Sequence, residues 1–412
     1  MQQLWLNVYH DPAFWGIVSI PVVAAVVTWA HVWLAMKMVF HPINFIGLRE
    51  PYLGWQGIIP RKAGRMAGII VDNALIKLGS VEEFFSECQP EQVAEQIAFH
   101  IREHADEIAD ELMSQHSRVL WENLPRELRQ VLVQSLRRHA GPIAHKILAD
   151  LEDKVSDYID LRAMVVRRMS EDKKLLVTMF QQVGHQEIAF IVHSSFWIGL
   201  FFGVIQMGLW ITLPYSWGLP LYGAALGYLT NWVALTLVFE PTQAYRIGSA
   251  RFGVTIQGLF LRRQAEVSEM FAELTSREVL NIHSFMHEMF YGPRQERTRA
   301  LVLRHIRPVL ESLSVRTAAL VTLGPRAYAD LKLQVVDTMI ANTMRPLADP
   351  ELNRRHGQLL RLSLAQRMKQ MSSVEFQGLL RPAFQEDEWI LIAMGAIMGL
   401  IAGSLQLWLG FH

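Results

Sequence analysis

Few side chains in this chain combine the types and spacings that chemistry needs. The most suggestive set is His100, His104, Glu107 and Glu111, whose steps of four, three and four place them on one strip of a helix. Imidazoles and carboxylates ligate zinc-like ions, but normally from more than one helix. Elsewhere His305-Ile306-Arg307 matches His100-Ile101-Arg102, yet Val309 stands where a second His104 would be. The set is better read as a solvated helix flank, and His283 with His287 receives the same reading. No metal or cofactor is therefore expected. A Gly-x-Ser-x-Gly elbow, a Walker loop, a dinucleotide fingerprint and His-Glu-x-x-His are all missing, and no enzyme activity is expected. Cys88 is the only cysteine, which excludes an intrachain disulfide and a cysteine-based metal cluster.

A second group of candidates sits inside long apolar runs. His31, His193, Gln206, Asn231 and Gln406 are polar at membrane depth, where such groups are costly and usually serve a purpose. No carboxylate accompanies them within the runs, which disfavours a proton-coupled carrier. Gln206 and Gln406 occupy matching positions and are placed to pair across a pseudo-symmetry axis. Arg61-Lys62 and Arg262-Arg263 form a third group. Each follows an apolar and aromatic stretch beside a span, which suits contact with lipid headgroups; anchoring the following helix is the simpler alternative.

The elements that must carry these residues follow from hydropathy. Phe14 to Met36, Ile191 to Leu213, Trp217 to Phe239 and Trp389 to Leu409 are free of charge and about 20 residues or longer, enough to cross a hydrocarbon core. Four spans place two charged segments on one side, with the termini and the Pro214 turn on the other. Every Lys and Arg lies between Lys37 and Lys174 or between Arg246 and Arg381. The positive-inside rule then makes both segments cytoplasmic. Met1 to Ala30 has no basic residue, so the start reads as a retained anchor rather than a secretory signal. Trp5, Trp15, Trp210, Trp217, Trp389 and Trp408 fall near span ends, as interfacial aromatics do. Basic and acidic residues balance at 39 each, with mean hydropathy +0.17, and no nucleic-acid partner is expected.

The chain also repeats itself. His31-Val32-Trp33 through Phe40-His41-Pro42 returns as Thr230-Asn231-Trp232 through Phe239-Glu240-Pro241, an offset of 199, while Gly199, Gly203 and Gln206 return as Gly399, Gly403 and Gln406, an offset of 200. The expected organisation is a tandem duplication: residues 1–213 with spans 14–36 and 191–213 around a lobe at 41–188, then 214–412 with spans 217–239 and 389–409 around a lobe at 241–386. Gly199, Gly203, Gly223, Gly227, Gly395, Gly399 and Gly403 line span faces at a spacing of four and are read as helix-packing positions. After Pro42 and Pro241, dense glycine and proline predict a short hairpin or looped ribbon. Beyond that, single apolar stripes predict helices. One long helix carries Val93, Ile97, Ile101, Ile108 and Leu112; the next starts at Pro125 and stops at Gly141-Pro142; a further break is expected at Gly324-Pro325. The fold class is thus an all-α integral membrane protein with four transmembrane helices, two helical soluble lobes and hairpin-like elements next to the first and third spans.

Thr230-Asn231-Trp232 to Phe239-x-Pro241, Gly54 to Lys62, Val183-Gly184-His185-Gln186-Glu187 before Gly199, and Phe384-Gln385-Glu386-Asp387-Glu388 before Gly399 together carry a family resemblance. They resemble the signatures of the domain of unknown function 445 family, the YheB/YjiN-like bacterial membrane proteins, over essentially the whole chain. The first copy departs from the family motif by reading His31-Val32-Trp33 for Thr-Asn-Trp. The resemblance implies a helical multi-pass protein of the bacterial inner membrane and supplies no catalytic residues. With the lipid-facing elements, the expectation is a non-enzymatic role in envelope organisation or lipid handling, with membrane lipids as partners and a homo-oligomer as a further option. An oligomeric channel or exporter, its path lined by polar span residues, is the alternative.

Overall fold

The structure is a computed structural model that describes residues 12–50, 53–123, 125–212, 217–247, 254–385 and 388–408. The Pro214 turn, Trp5, Glu386 and Asp387 lie outside the described residues. Almost every described residue is helical. Four helices are long and apolar enough to cross a membrane: α1 (Pro12–Phe40), α2 (His185–Thr212), α3 (Gly218–Phe239) and α4 (Glu388–Trp408). Apolar side chains surround them on all sides, which in a helix of this length is the pattern of lipid contact rather than of one buried face. Trp217, Trp389 and Trp408 are exposed near span ends, whereas Trp210 is buried with Ile20 and Leu219.

α1 and α3 end alike. Each stops at a cis peptide bond, His41–Pro42 and Glu240–Pro241. A two-stranded antiparallel ribbon follows in each case: β1 (Ile46–Arg49) on β2 (Leu53–Trp55), and β3 (Tyr245–Ile247) on β4 (Val254–Ile256). The ribbon is then tied back to the helix end. Gly57 N–H donates to Pro42 O at 2.9 Å and Gly258 N–H to Pro241 O at 3.0 Å. Only glycine fits there, because a Cβ would lie 2.8 Å from Phe40 C or 2.6 Å from Phe239 C. Gln56 and Gln257 donate side-chain bonds to Ile43 O and Thr242 O, fixing the loop beside each glycine. Short helices Ile58–Arg61 and Leu259–Arg262 carry the chain away.

The chain divides into two compact units, a division by packing that is distinct from the repeat read along the sequence. One unit comprises residues 1–77, 169–271 and 367–412; the other comprises 78–168 and 272–366. Each draws on both 1–213 and 214–412. The physical reason is visible in the second unit: a helix with one apolar stripe cannot cover itself, and the stripes of the two segments cover each other. Phe85 and Phe285, both fully buried, meet edge to face at 5.7 Å. Arg294 donates to Ile159 O at 3.0 Å and His305 meets Asp150 at 2.8 Å.

Two helix boundaries depart from expectation. The Arg126–Asp153 helix runs through Gly141-Pro142 instead of stopping. Proline removes one backbone bond, but Ala140, Gly141 and Ala144 are buried where this helix packs against the Pro90–Glu103 helix. That packing holds the backbone in line. Conversely, the long helix expected from Val93 to Leu112 is broken at His104, between Pro90–Glu103 and Ala105–Glu122. The break at Gly324 is present, with φ +77°.

Candidate functional site: the axis of the bundle and its juxtamembrane rim

α1 packs along α2 and α3 along α4, and these pairs join into a four-helix bundle. Glycine lets the backbones meet. A Cβ at Gly227 would lie 2.0 Å from Gly395 O, and one at Gly399 would lie 2.0 Å from Gly223 O. Gly199 and Gly203 on α2 face Thr28, Ala24 and Pro21 of α1, and Gly403 faces Leu219 and Pro220. All seven glycines singled out by sequence therefore lie at helix–helix contacts.

Of the five polar candidates in the spans, His31, Gln206, Asn231 and Gln406 are buried, whereas His193 is exposed. Asn231 Nδ2 donates to Leu391 O of α4 at 2.7 Å, and its Oδ1 faces His31 Nε2 of α1 at 3.4 Å. One side chain thus links three spans. Gln206 and Gln406, 3% and 7% exposed, line a common cavity of 30 Å³ with His31, Thr28 and Thr230. Neither glutamine makes a hydrogen bond to the described residues. The two do not pair with each other, as sequence reading had placed them to do.

The basic pairs divide. Arg61 and Arg262 are exposed, while Lys62 is half-buried. Arg263 is a structural cation: its Nη1 donates to both Glu187 oxygens at 2.7 and 2.9 Å, and its Nε to Glu266 at 2.9 Å. Glu187, buried at the start of α2, is marked in sequence as part of the Val183–Glu187 resemblance, but nothing there points to Arg263 as its partner. Arg381 similarly holds Glu240 at the end of α3. Around these residues the ribbons display apolar side chains to the outside. Ile46, Leu48, Leu53, Trp55 and Tyr245 are all exposed, Leu48 to 94%.

The histidine strip does not assemble a metal centre. His100 and His104 stack at 4.3 Å where the helix breaks, and among the described residues no three ligating groups converge. Burial pushes the His100 imidazole below its usual pKa, and the neighbouring His104 and Arg345 add to this. No family model, no curated protein and no solved structure matches this chain.

Proposed function

We propose that this chain is a multi-pass protein of the bacterial inner membrane, built by tandem duplication, that handles lipid or organises the envelope without catalysing a reaction. In this reading it belongs to the domain of unknown function 445 family, with both helical lobes cytoplasmic and the termini on the opposite side. The carrying observation is the pair of ribbons at the ends of α1 and α3, whose exposed Leu48, Leu53, Trp55 and Tyr245 are followed in the chain by exposed Arg61 and Arg262. Apolar side chains next to cations, directly at a span end, match the headgroup and upper acyl zone of a bilayer. Arg263, engaged by Glu187 and Glu266, supports the rim rather than the lipid.

The test replaces Arg61 and Arg262 by Glu and Leu48 by Asp in the full chain, then measures lipid retained through purification and quenching of Trp55 by brominated lipid. Loss of anionic lipid and of quenching supports the reading. Unchanged retention and quenching in all three variants removes it. The alternative, an oligomeric channel or exporter, draws on the buried Gln206 and Gln406; vesicle flux that falls in Gln206→Leu and Gln406→Leu would favour it.

A further inference from the structure

We propose that the centre of the bundle is a water-holding chamber, framed by Gln206 and Gln406, that exchanges only with the ribbon end of the spans. Three cavities follow one another along the bundle. The first, 90 Å³, lies at the ribbon end among Val39, Val238, Ile188 and Leu391. The second, 20 Å³, shares Met36, Ile191, Leu235 and Leu391 with the first and reaches Asn231. The third is the 30 Å³ chamber, whose walls begin one residue further along α1 and α3, at His31 and Thr230. Beyond Gln206 and Gln406, among the described residues, Ile20, Trp210 and Leu219 form a buried cluster with Ile17 and Met207 packed on them.

The chemistry of the walls selects the guest. Each glutamine amide offers two donor hydrogens and an acceptor oxygen, and both residues are more than nine-tenths buried and line the chamber. Thr230 Oγ1 donates to Leu226 O and keeps its lone pairs for the chamber. No charged side chain lines the chamber, so nothing there offsets the desolvation of an ion. A neutral molecule that both donates and accepts fits these walls. A water needs about 10–15 Å³ measured this way, so the chamber holds about two. Entry from the ribbon end must pass Asn231, whose 3.4 Å contact with His31 is long and easily opened. Entry from the other end must displace a packed indole. This inference stands independently of the lipid reading, since the chamber binds water whether or not the ribbons contact lipid.

Cysteine reporters test it in the full chain in membranes. Native Cys88 is fully buried with its thiol pushed up to about 12, so the background is silent. Gln206→Cys and, as a second reporter on α3, Thr230→Cys are exposed to methyl methanethiosulfonate. Surviving thiol is counted after denaturation with a polymer-tagged maleimide. The reporters should react in the folded protein, Asn231→Ala should raise the rate about fivefold, and Trp210→Leu should leave it unchanged. Acceleration by Trp210→Leu without acceleration by Asn231→Ala would overturn the one-ended path. In the unsubstituted protein, nitrogen-15 glutamine labelling in lipid should show magnetisation transfer from water to two buried side-chain amides, lost one at a time in Gln206→Leu and Gln406→Leu. Absence of that transfer would overturn the chamber itself, whatever the fate of the cysteine variants.

Discussion

The two span pairs solve the same packing problem differently. Between α3 and α4, glycine faces glycine, with Gly223 and Gly227 opposite Gly399 and Gly395. Between α1 and α2, glycine stands on one side only: a Cβ on Gly199 would meet Thr28 Cβ at 2.8 Å, and one on Gly203 would meet Pro21 Cα at 2.7 Å. At the offsets of the repeat, Ala24, Thr28 and Ser195 take the places of Gly223, Gly227 and Gly395. Removing Cβ from both faces brings backbone to backbone and clears the space through which Asn231 reaches Leu391 O. Its counterpart Val32 has no such group, and Ser195, in the place of Gly395, bonds Val192 O in its own helix. In lipid, where water no longer drives association, the closer pair gains more dispersion and a side-chain-to-backbone bond, but tolerates less change.

The largest effect should therefore come from Gly227→Ala or Gly399→Ala. A Cβ pressed on a carbonyl oxygen cannot be relieved by a rotamer, and the cost should be about 3 kcal/mol or more, read as a lowered thermal midpoint in detergent. Gly203→Ala should cost less, about 1–2 kcal/mol, because the nearest approach, 2.7 Å to Pro21 Cα, is milder than 2.0 Å to a carbonyl oxygen. If the two substitutions prove equal, the contrast between the pairs is wrong. Asn231→Leu should lose about 0.5–1.5 kcal/mol, and the loss should shrink when Gly395 is also replaced by Ala, because the α3–α4 gap is then already wedged open.

Acid should weaken the unit of residues 78–168 and 272–366. Burial lowers the imidazole pKa of His100, His283 and His356, helped by Arg345, Arg168 and Arg355. The unfolded chain then binds more protons than the folded one as pH drops below the ordinary imidazole value of about 6.5, so that unit loses stability in acid and keeps it above. Hydrogen exchange at pH 5.5 against 7.5 should show the change in residues 78–168 and 272–366. The smallest effect belongs to Gly208→Ala. No atom would lie within 4 Å of the new Cβ, and removing a flexible helical glycine should stabilise by about 0.5–1 kcal/mol.

Much of this was legible in the residues. Runs without charge define spans because a bilayer admits little else, and glycines spaced by four define the contact faces of those spans. The glycine after Gln56 and Gln257 could be seen as a loop signal, but not as the point where each ribbon is tied to its helix. That depends on the backbone of Pro42 or Pro241, well back along the chain, coming within hydrogen-bond distance. The continuation of a helix through Pro142 was illegible for a similar reason, since packing against another helix overrides a local breaker. Arg263 looked the same as Arg61 and Arg262 in sequence, because identity and neighbourhood along the chain do not say where Glu187 will be.

The linear order of residues determined what each segment needs: apolar length, a striped face, a missing Cβ, a cation near the membrane. Those are properties of single elements and survive in a string. Tertiary structure alone decided who satisfies each need, because partners are chosen by approach in space. It brought stripes of both halves into one unit, gave Arg263 a buried carboxylate and turned Asn231 toward α1 and α4. It also set Gln206 and Gln406 on the wall of one cavity.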